Sequence, residues 1–151
     1  MNLDEVARDI LDSNMYVVIA TADEAGGPWA SPVYFAADGY HQFYWVSSPD
    51  VQHSRNLAAR PHVYLVVFDS TVPIGTGQAV YMSGTAEQLT GAELDRGLEL
   101  YSRTAVGHGG RPFTAADVRE PAPYRLYRAT VTRHWVLDRE NPPDHRVPVT
   151  P

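Results

Sequence analysis

Hydrophobic residues recur at helical spacing near the start of the chain. Five of them would share one face of a helix: Leu3, Val6, Ala7, Ile10 and Leu11. Asn2 is followed three residues later by Glu5, which is the spacing of a capping box at a helix start. The pattern predicts a short amphipathic helix that packs against another part of the fold.

The pattern then changes to that of β-strands. Segments rich in β-branched and aromatic residues alternate with turn residues, at 15–21, 29–36, 41–47, 62–69, 78–88 and 124–137. Asp38-Gly39 is typical of a hairpin turn, and Pro32 indicates an edge strand or a bulge. The sequence therefore predicts a mainly β (α+β) fold, a six-stranded antiparallel barrel with peripheral short helices. An open sandwich is the alternative topology.

Helical segments are expected between the strands. Residues 49–60 form one, with Ser48 as N-cap and Pro49 at its first position. Residues 90–104 form the clearest helix, with a capping box of Thr90 and Glu93, and 114–119 form a brief helical turn. We expect residues 1–139 to be a single domain and the proline-rich residues 140–151 to be an extended tail with little support of its own.

Composition excludes several classes of protein. The 151 residues include no cysteine, which rules out disulfides and thiolate metal sites. The net charge of −6 argues against a nucleic-acid partner, and no apolar run is long enough to cross a membrane. Because the N-terminal residues are acidic, where a signal peptide would be basic, we expect a cytoplasmic protein. The six histidines are scattered, and we predict no metal site.

Residues 43–57 carry the strongest chemical signal. A strand ends in Ser47 and Ser48, and a helix begins at once, so unpaired backbone N–H groups would face an anion there. Every basic residue of the chain is arginine, so a phosphate must be held by Arg, His, hydroxyl or backbone groups. Gln52, His53 and Arg55 could fold back to complete a phosphate site. The alternative is that Ser48 only caps a surface helix and Arg55 is solvated.

Aromatic residues offer a second signal. The chain has nine Tyr, three Trp and four Phe, many of them within the predicted strands. Most would belong to the core or to an interface. Such a surplus of half-polar aromatic side chains also suits a site that stacks a flat ring.

Three segments together resemble the pyridoxamine 5′-phosphate oxidase-related, FMN-binding split-barrel family. They are VVIATADEAGGPWASPVYFAADGYHQFYWVSSPDVQHSRNLAARPHVYLVVFD (17–69), GQAVYMSGTAE (77–87) and YRLYRATVTRHWVLD (124–138). The resemblance covers nearly the whole chain and rests on the order and spacing of the segments. It implies a split β-barrel, a homodimer with FMN at the subunit interface, and a small-molecule substrate.

The resemblance also implies which residues hold FMN. Pro32, Val33 and Tyr34 would run along the flavin ring, Trp135 would lie near the ring edge, and Gln78 would reach in from the partner subunit. The phosphate end would meet a second group of residues: Val46, Ser47, Ser48, Gln52, His53, Arg55 and Asn56. No residue is named as an acid–base catalyst, since the flavin would carry the hydride chemistry.

The sequence departs from the family pattern in two places. Gln52-His53 stands where a basic pair usually holds the phosphate, so cofactor affinity is expected to depend on pH through the imidazole. The tail, with Asp144-His145-Arg146, lacks the arginine-rich substrate segment of true pyridoxamine-phosphate oxidases, so that activity is not expected. An FMN-dependent oxidoreductase is the first interpretation. The alternatives are a deazaflavin-dependent reductase with a groove of Arg55, Arg60 and Arg111, a non-catalytic flavin carrier and, less favoured, a haem protein.

Overall fold

A computed structural model describes residues 2–151 of the chain. The helices are α1 (Leu3–Ser13), α2 (Gln52–Ala59) and α3 (Gly91–Gly107), with a 3-10 turn at Ala115–Asp117. The strands are β1 (Tyr16–Ala22), β2 (Pro28–Tyr34), β3 (Ala36–Asp38), β4 (Gln42–Ser47), β5 (His62–Phe68), β6 (Ala79–Gln88), β7 (Arg125–Asp138) and β8 (His145–Val149).

All strands join one antiparallel sheet, in the order β2-β1-β5-β6-β7-β4-β3, with β8 paired to β7. The two ends of this order, β2 and β3, are consecutive in the chain and are separated only by Phe35. The sheet must therefore curl until its edges meet. The result is a split barrel, as the sequence predicts, and not an open sandwich.

The barrel interior holds the main hydrophobic core. Alternate residues of β1 and β5 point inward and are fully buried, among them Ile19 and Leu65. Helix α1 packs Ala7 and Leu11 onto this core, and Asn2 caps the helix by accepting from the backbone N–H groups of Asp4 and Glu5. A second cluster, which includes Leu98, lies beneath α3. The predicted amphipathic first helix is confirmed.

The long strand β7 contains a β-bulge, and its two halves pair with different strands. The register between β6 and β7 shifts between Ser83 and Gly84. A Cβ atom at Gly84 would lie 2.0 Å from the carbonyl oxygen of Thr130, so only glycine allows the strands to approach this closely. β7 then pairs with β4 along its first half and with β8 along its second half.

Several predicted boundaries are wrong. The strand expected at 29–36 divides into β2 and β3, and residues 145–149 of the tail form β8, so there are more strands than six. Helix α2 begins at Gln52 with Val51 as N-cap, because the Ser48 hydroxyl accepts from the Asp50 N–H and forms a turn instead. Thr90 does occupy the N-cap position of α3, but its side chain makes no capping hydrogen bond.

Candidate functional site

The predicted phosphate residues lie where β4 ends and α2 begins. Ser47 is the last residue of β4, and its Oγ lies 2.9 Å from the Nε2 of His53 in the first turn of α2. Both side chains are buried, with 8% of each residue exposed. Burial lowers the pKa of His53, so its imidazole is neutral at pH 7. The His53 ring is buried against the Ser47 hydroxyl and does not present a charge to solvent.

A chain of amide and hydroxyl contacts ties α2 to the barrel wall. Gln52 Nε2 donates to Asn56 Oδ1 at 2.7 Å, and Asn56 Nδ2 donates to Thr21 Oγ1 of β1 at 3.0 Å. Asn56 and Thr21 are buried. These contacts set the angle of α2 against β1, because a buried amide is stable only when its hydrogen-bonding groups are paired.

Arg55 is the cation at the start of α2. Its guanidinium folds back over the first turn, where Nη1 donates to the Asp50 carbonyl at 3.0 Å and Nη2 donates to Gln52 Oε1 at 2.9 Å. The N-cap Val51 offers no side-chain acceptor, and the first turn of α2 contains no acidic residue. The first N–H groups of a helix have no acceptor within the helix and attract an anion. Arg55, Gln52 and the exposed start of α2 thus form a site suited to a phosphate.

The residues expected along a flavin ring lie on the edge strand β2. Pro32 and Tyr34 pair with Val18 and Tyr16 of β1 and share one face of the sheet, while Val33 packs against the barrel core. The Tyr34 hydroxyl lies 2.6 Å from His108 Nδ1, which joins β2 to the end of α3. Partial burial and the neighbouring Tyr16 phenol raise the pKa of Tyr34. The expected position of Pro32 on an edge strand is confirmed.

Other predicted site residues lie away from the start of α2. Gln78 donates to the Leu137 carbonyl at 2.9 Å and accepts from the Leu137 and Ala79 N–H groups at 3.0 Å, so its amide oxygen and one of its N–H groups are paired within its own chain. Trp135, on β7, stacks on Tyr64 with ring centroids 6.0 Å apart. Val46 is half-buried against the cluster beneath α3.

A groove of about 500 Å³ crosses β1, β5 and β6, and its lining includes Thr21, His62, Tyr64 and Gly84. None of the predicted cofactor residues lines it. It lies beyond the far end of α2, where Arg60 Nε donates to the Ala22 carbonyl at 3.1 Å. We regard the start of α2 as the chemically stronger candidate, because a phosphate needs donors and positive charge, and the groove wall is mainly apolar.

Arg111, the third arginine of the expected basic groove, contacts other residues. Arg111 Nη1 lies 3.3 Å from Asp117 Oδ1, and its guanidinium covers the Phe113 ring at 4.2 Å. Arg55 and Arg60, the other two arginines of that groove, lie at opposite ends of α2. Sequence reasoning missed the parts played by Thr21 and His108, since both bond to residues far away in the chain.

The sequence matches the family model for pyridoxamine 5′-phosphate oxidase over residues 3–138, and the chain belongs to this family. A search of curated proteins returns no match.

Solved structures share the fold at low sequence identity. A haem-binding protein from Mycobacterium smegmatis superposes with a TM-score of 0.74 and 20% identity over 98% of this chain. The match spans 58% of the length of that protein. An FAD-binding protein from Mesorhizobium loti gives a TM-score of 0.65 and 20% identity, with 87% of this chain and 91% of that chain covered. An F420 reductase gives 0.61 and 23% identity, with 85% and 94% covered.

Within residues 2–151, no helix is both long enough and apolar enough to span a membrane.

Proposed function

We propose that the protein is an oxidoreductase that binds FMN at the start of α2. The observation that carries the proposal is the arrangement of Arg55 and Gln52 over an uncapped helix N-terminus, in a chain of the pyridoxamine 5′-phosphate oxidase family. Arg55, Gln52, Ser48 and the first N–H groups of α2 would hold the phosphate. When bound, FMN supplies hydride transfer.

The chain's own residues bind and orient the cofactor in this proposal. His53 holds the Ser47 hydroxyl, and Asn56 holds α2 against β1, so the donors are in place before the phosphate arrives. Pro32, exposed on the edge strand β2, would lie against one side of a flat ring, and Tyr34 is held beside it by Tyr101 of α3 and by His108 at the end of that helix. The substrate is a small molecule that meets the exposed side of that ring.

We propose that the protein is a homodimer, with the outer face of the sheet as its interface. Tyr64, Tyr81 and Trp135 are half-buried on this face, and Arg146 lies 3.6 Å above the Tyr81 ring. Aromatic residues and arginine are enriched at interface centres. Light scattering at micromolar concentration should give twice the mass of one chain; the mass of a single chain would overturn the dimer.

A deazaflavin is the second candidate cofactor. It is favoured by Arg60, a second cation at the other end of α2, which donates to Ala22, a residue that lines the groove. A cofactor with an extended acidic tail would use both arginines, whereas FMN would end at Arg55.

Titration of the purified chain with FMN, FAD, a deazaflavin and haem tests the proposal. Binding is followed by visible absorption and by quenching of flavin fluorescence, and bound cofactor is then offered a reductant. We expect saturable binding of FMN and reduction of the bound cofactor. Tighter binding of the deazaflavin favours the second candidate, and binding without turnover favours a flavin carrier. Haem binding alone would overturn the flavin assignment.

A further inference from the structure

Two histidines outside the proposed cofactor site lie side by side. One directly precedes β4, and the other lies on β7, just beyond the part of β7 that pairs with β4. The ring centroids of His41 and His134 are 5.1 Å apart, and the ring planes are nearly perpendicular, at 84°. His134 is buried, with 4% exposed, and His41 is exposed. The pair therefore spans the boundary between the protein interior and solvent.

Each imidazole is held by a backbone carbonyl of the opposite segment. His134 Nε2 lies 2.6 Å from the Tyr40 carbonyl oxygen, and His41 Nδ1 lies 3.2 Å from the Val131 carbonyl oxygen. A carbonyl oxygen only accepts, so these two ring nitrogens carry the protons. In neutral imidazoles the other two nitrogens, His41 Nε2 and His134 Nδ1, then have free lone pairs.

This arrangement matches the support that metal-binding histidines receive. A ligating histidine characteristically donates its second ring N–H to a backbone carbonyl or a carboxylate, which fixes the tautomer and the ring orientation. Two imidazoles on one tetrahedral ion, with metal–nitrogen bonds of about 2.0–2.1 Å, have centroids about 5 Å apart. The separation of His41 and His134 agrees with this value.

The surroundings leave room for an ion. A cavity of about 200 Å³ has His41, His134 and Thr132 in its lining, together with Arg133, Trp135 and residues 148–150. The Arg133 guanidinium lies over the Trp135 ring, 4.8 Å from its centroid. Within residues 2–151, no third histidine, aspartate or glutamate completes the set. The remaining coordination positions would thus be taken by water or by a small ligand.

We propose that His41 and His134 bind a divalent transition-metal ion, with zinc as the reference ion, through His41 Nε2 and His134 Nδ1. Imidazole pairs suit zinc, copper and nickel, whereas magnesium and calcium require oxygen ligands. The site is independent of the cofactor proposed at α2. An ion there clamps β4 to β7 and stabilises the folded chain, because the unfolded chain does not hold the two rings together.

Zinc chloride titration of the tag-free full chain tests this site, with the imidazole nitrogens of the six histidines followed by NMR. We expect one equivalent of zinc to shift the signals of His41 and His134, and to raise the unfolding temperature. His41→Asn changes an exposed position and should weaken zinc binding by at least about tenfold. The matched control is His62→Asn, at an exposed position on β5, which should leave zinc binding unchanged.

Three results would overturn the site. They are the absence of any zinc-dependent shift, shifts confined to histidines other than His41 and His134, and zinc binding of equal strength in His41→Asn and the wild type. The buried His134 need not be replaced, so a loss of folding cannot confuse the outcome. The experiment contains no flavin, and its result stands whether or not the proposed function is correct.

Discussion

His53 Nε2 and Ser47 Oγ lie 2.9 Å apart inside the barrel, and this contact joins the end of β4 to the first turn of α2. The contact thereby fixes the two ends of the turn at residues 48–51, which connects β4 to α2. In the proposed site, His53 does not contact the phosphate. It holds the Ser47 hydroxyl and fixes the position of α2. The permanent positive charge comes from Arg55, whose guanidinium lies on the outer side of the same turn.

Arg55→Ala should weaken FMN binding by about 1–3 kcal/mol, the range for hydrogen bonds assisted by charge. The reason is that Arg55 is the cation folded over the start of α2. Isothermal titration of both proteins with FMN measures the change. Arg103→Ala is the matched control, because Arg103 is an exposed arginine on α3 whose ion pair is with Glu99. Equal dissociation constants for Arg55→Ala and Arg103→Ala would place the phosphate elsewhere.

Gln78→Ala should lower the free energy of unfolding by about 2–3 kcal/mol, since the side chain makes three hydrogen bonds to the backbone of Leu137 and Ala79. Urea denaturation measures this change. Gln88→Ala, at an exposed position near the end of β6, should change stability by less than about 0.5 kcal/mol. If Gln78 instead serves mainly a partner subunit, its replacement will alter dimerisation or FMN binding and leave the stability of the monomer unchanged.

Gly84→Ala should destabilise the fold by about 3 kcal/mol, because the new methyl group would overlap the Thr130 carbonyl at the β-bulge. Gly77→Ala is the control, since a Cβ there meets nothing within 4 Å and its backbone needs no positive φ. Thermal unfolding compares the two variants. A Gly84→Ala protein as stable as Gly77→Ala would show that the strands can separate at the bulge without cost.

Strands with a clear alternation of apolar and polar residues, or with a hairpin turn beside them, could be predicted from the sequence. The hairpin turn at Asp38-Gly39 and the inward positions of β5 follow from residues that are near one another in the chain. Strand β8 could not be predicted in this way. Its five residues include Pro148 and carry no strong alternation, and they pair because β7 extends beyond β4 and offers a free edge.

The sequence places the candidate site residues next to one another but does not show how they are oriented. The serines, Gln52, His53, Arg55 and Asn56 were expected together, and the structure gathers them around the start of α2. The sequence of α2 has polar residues on both faces, so it does not show which of them turn inward. The inward choice depends on Thr21, which accepts from Asn56 across 35 positions of the chain.

The buried imidazole of His53 makes stability depend on pH. Burial lowers its pKa below the ordinary value of 6.5, so the native chain resists protonation there. Once the pH falls below about 6.5, the unfolded chain binds a proton at this histidine that the native chain does not. The free energy of unfolding must therefore decrease as the pH falls from about 6.5 toward the lower native pKa. His134 contributes in the same direction, because burial also lowers its pKa.

His53→Gln removes this titration while keeping a side chain that can hydrogen-bond to Ser47. Urea denaturation at pH 7.5 and at pH 5 should show a smaller loss of stability in His53→Gln than in the wild type, with the remaining loss including the share due to His134. His62→Gln, at an exposed position, should keep the wild-type loss. If His53→Gln and the wild type lose equal stability between the two pH values, the imidazole is not held neutral by the barrel. A protonated His53 would then add its positive charge to that of Arg55 in binding a phosphate.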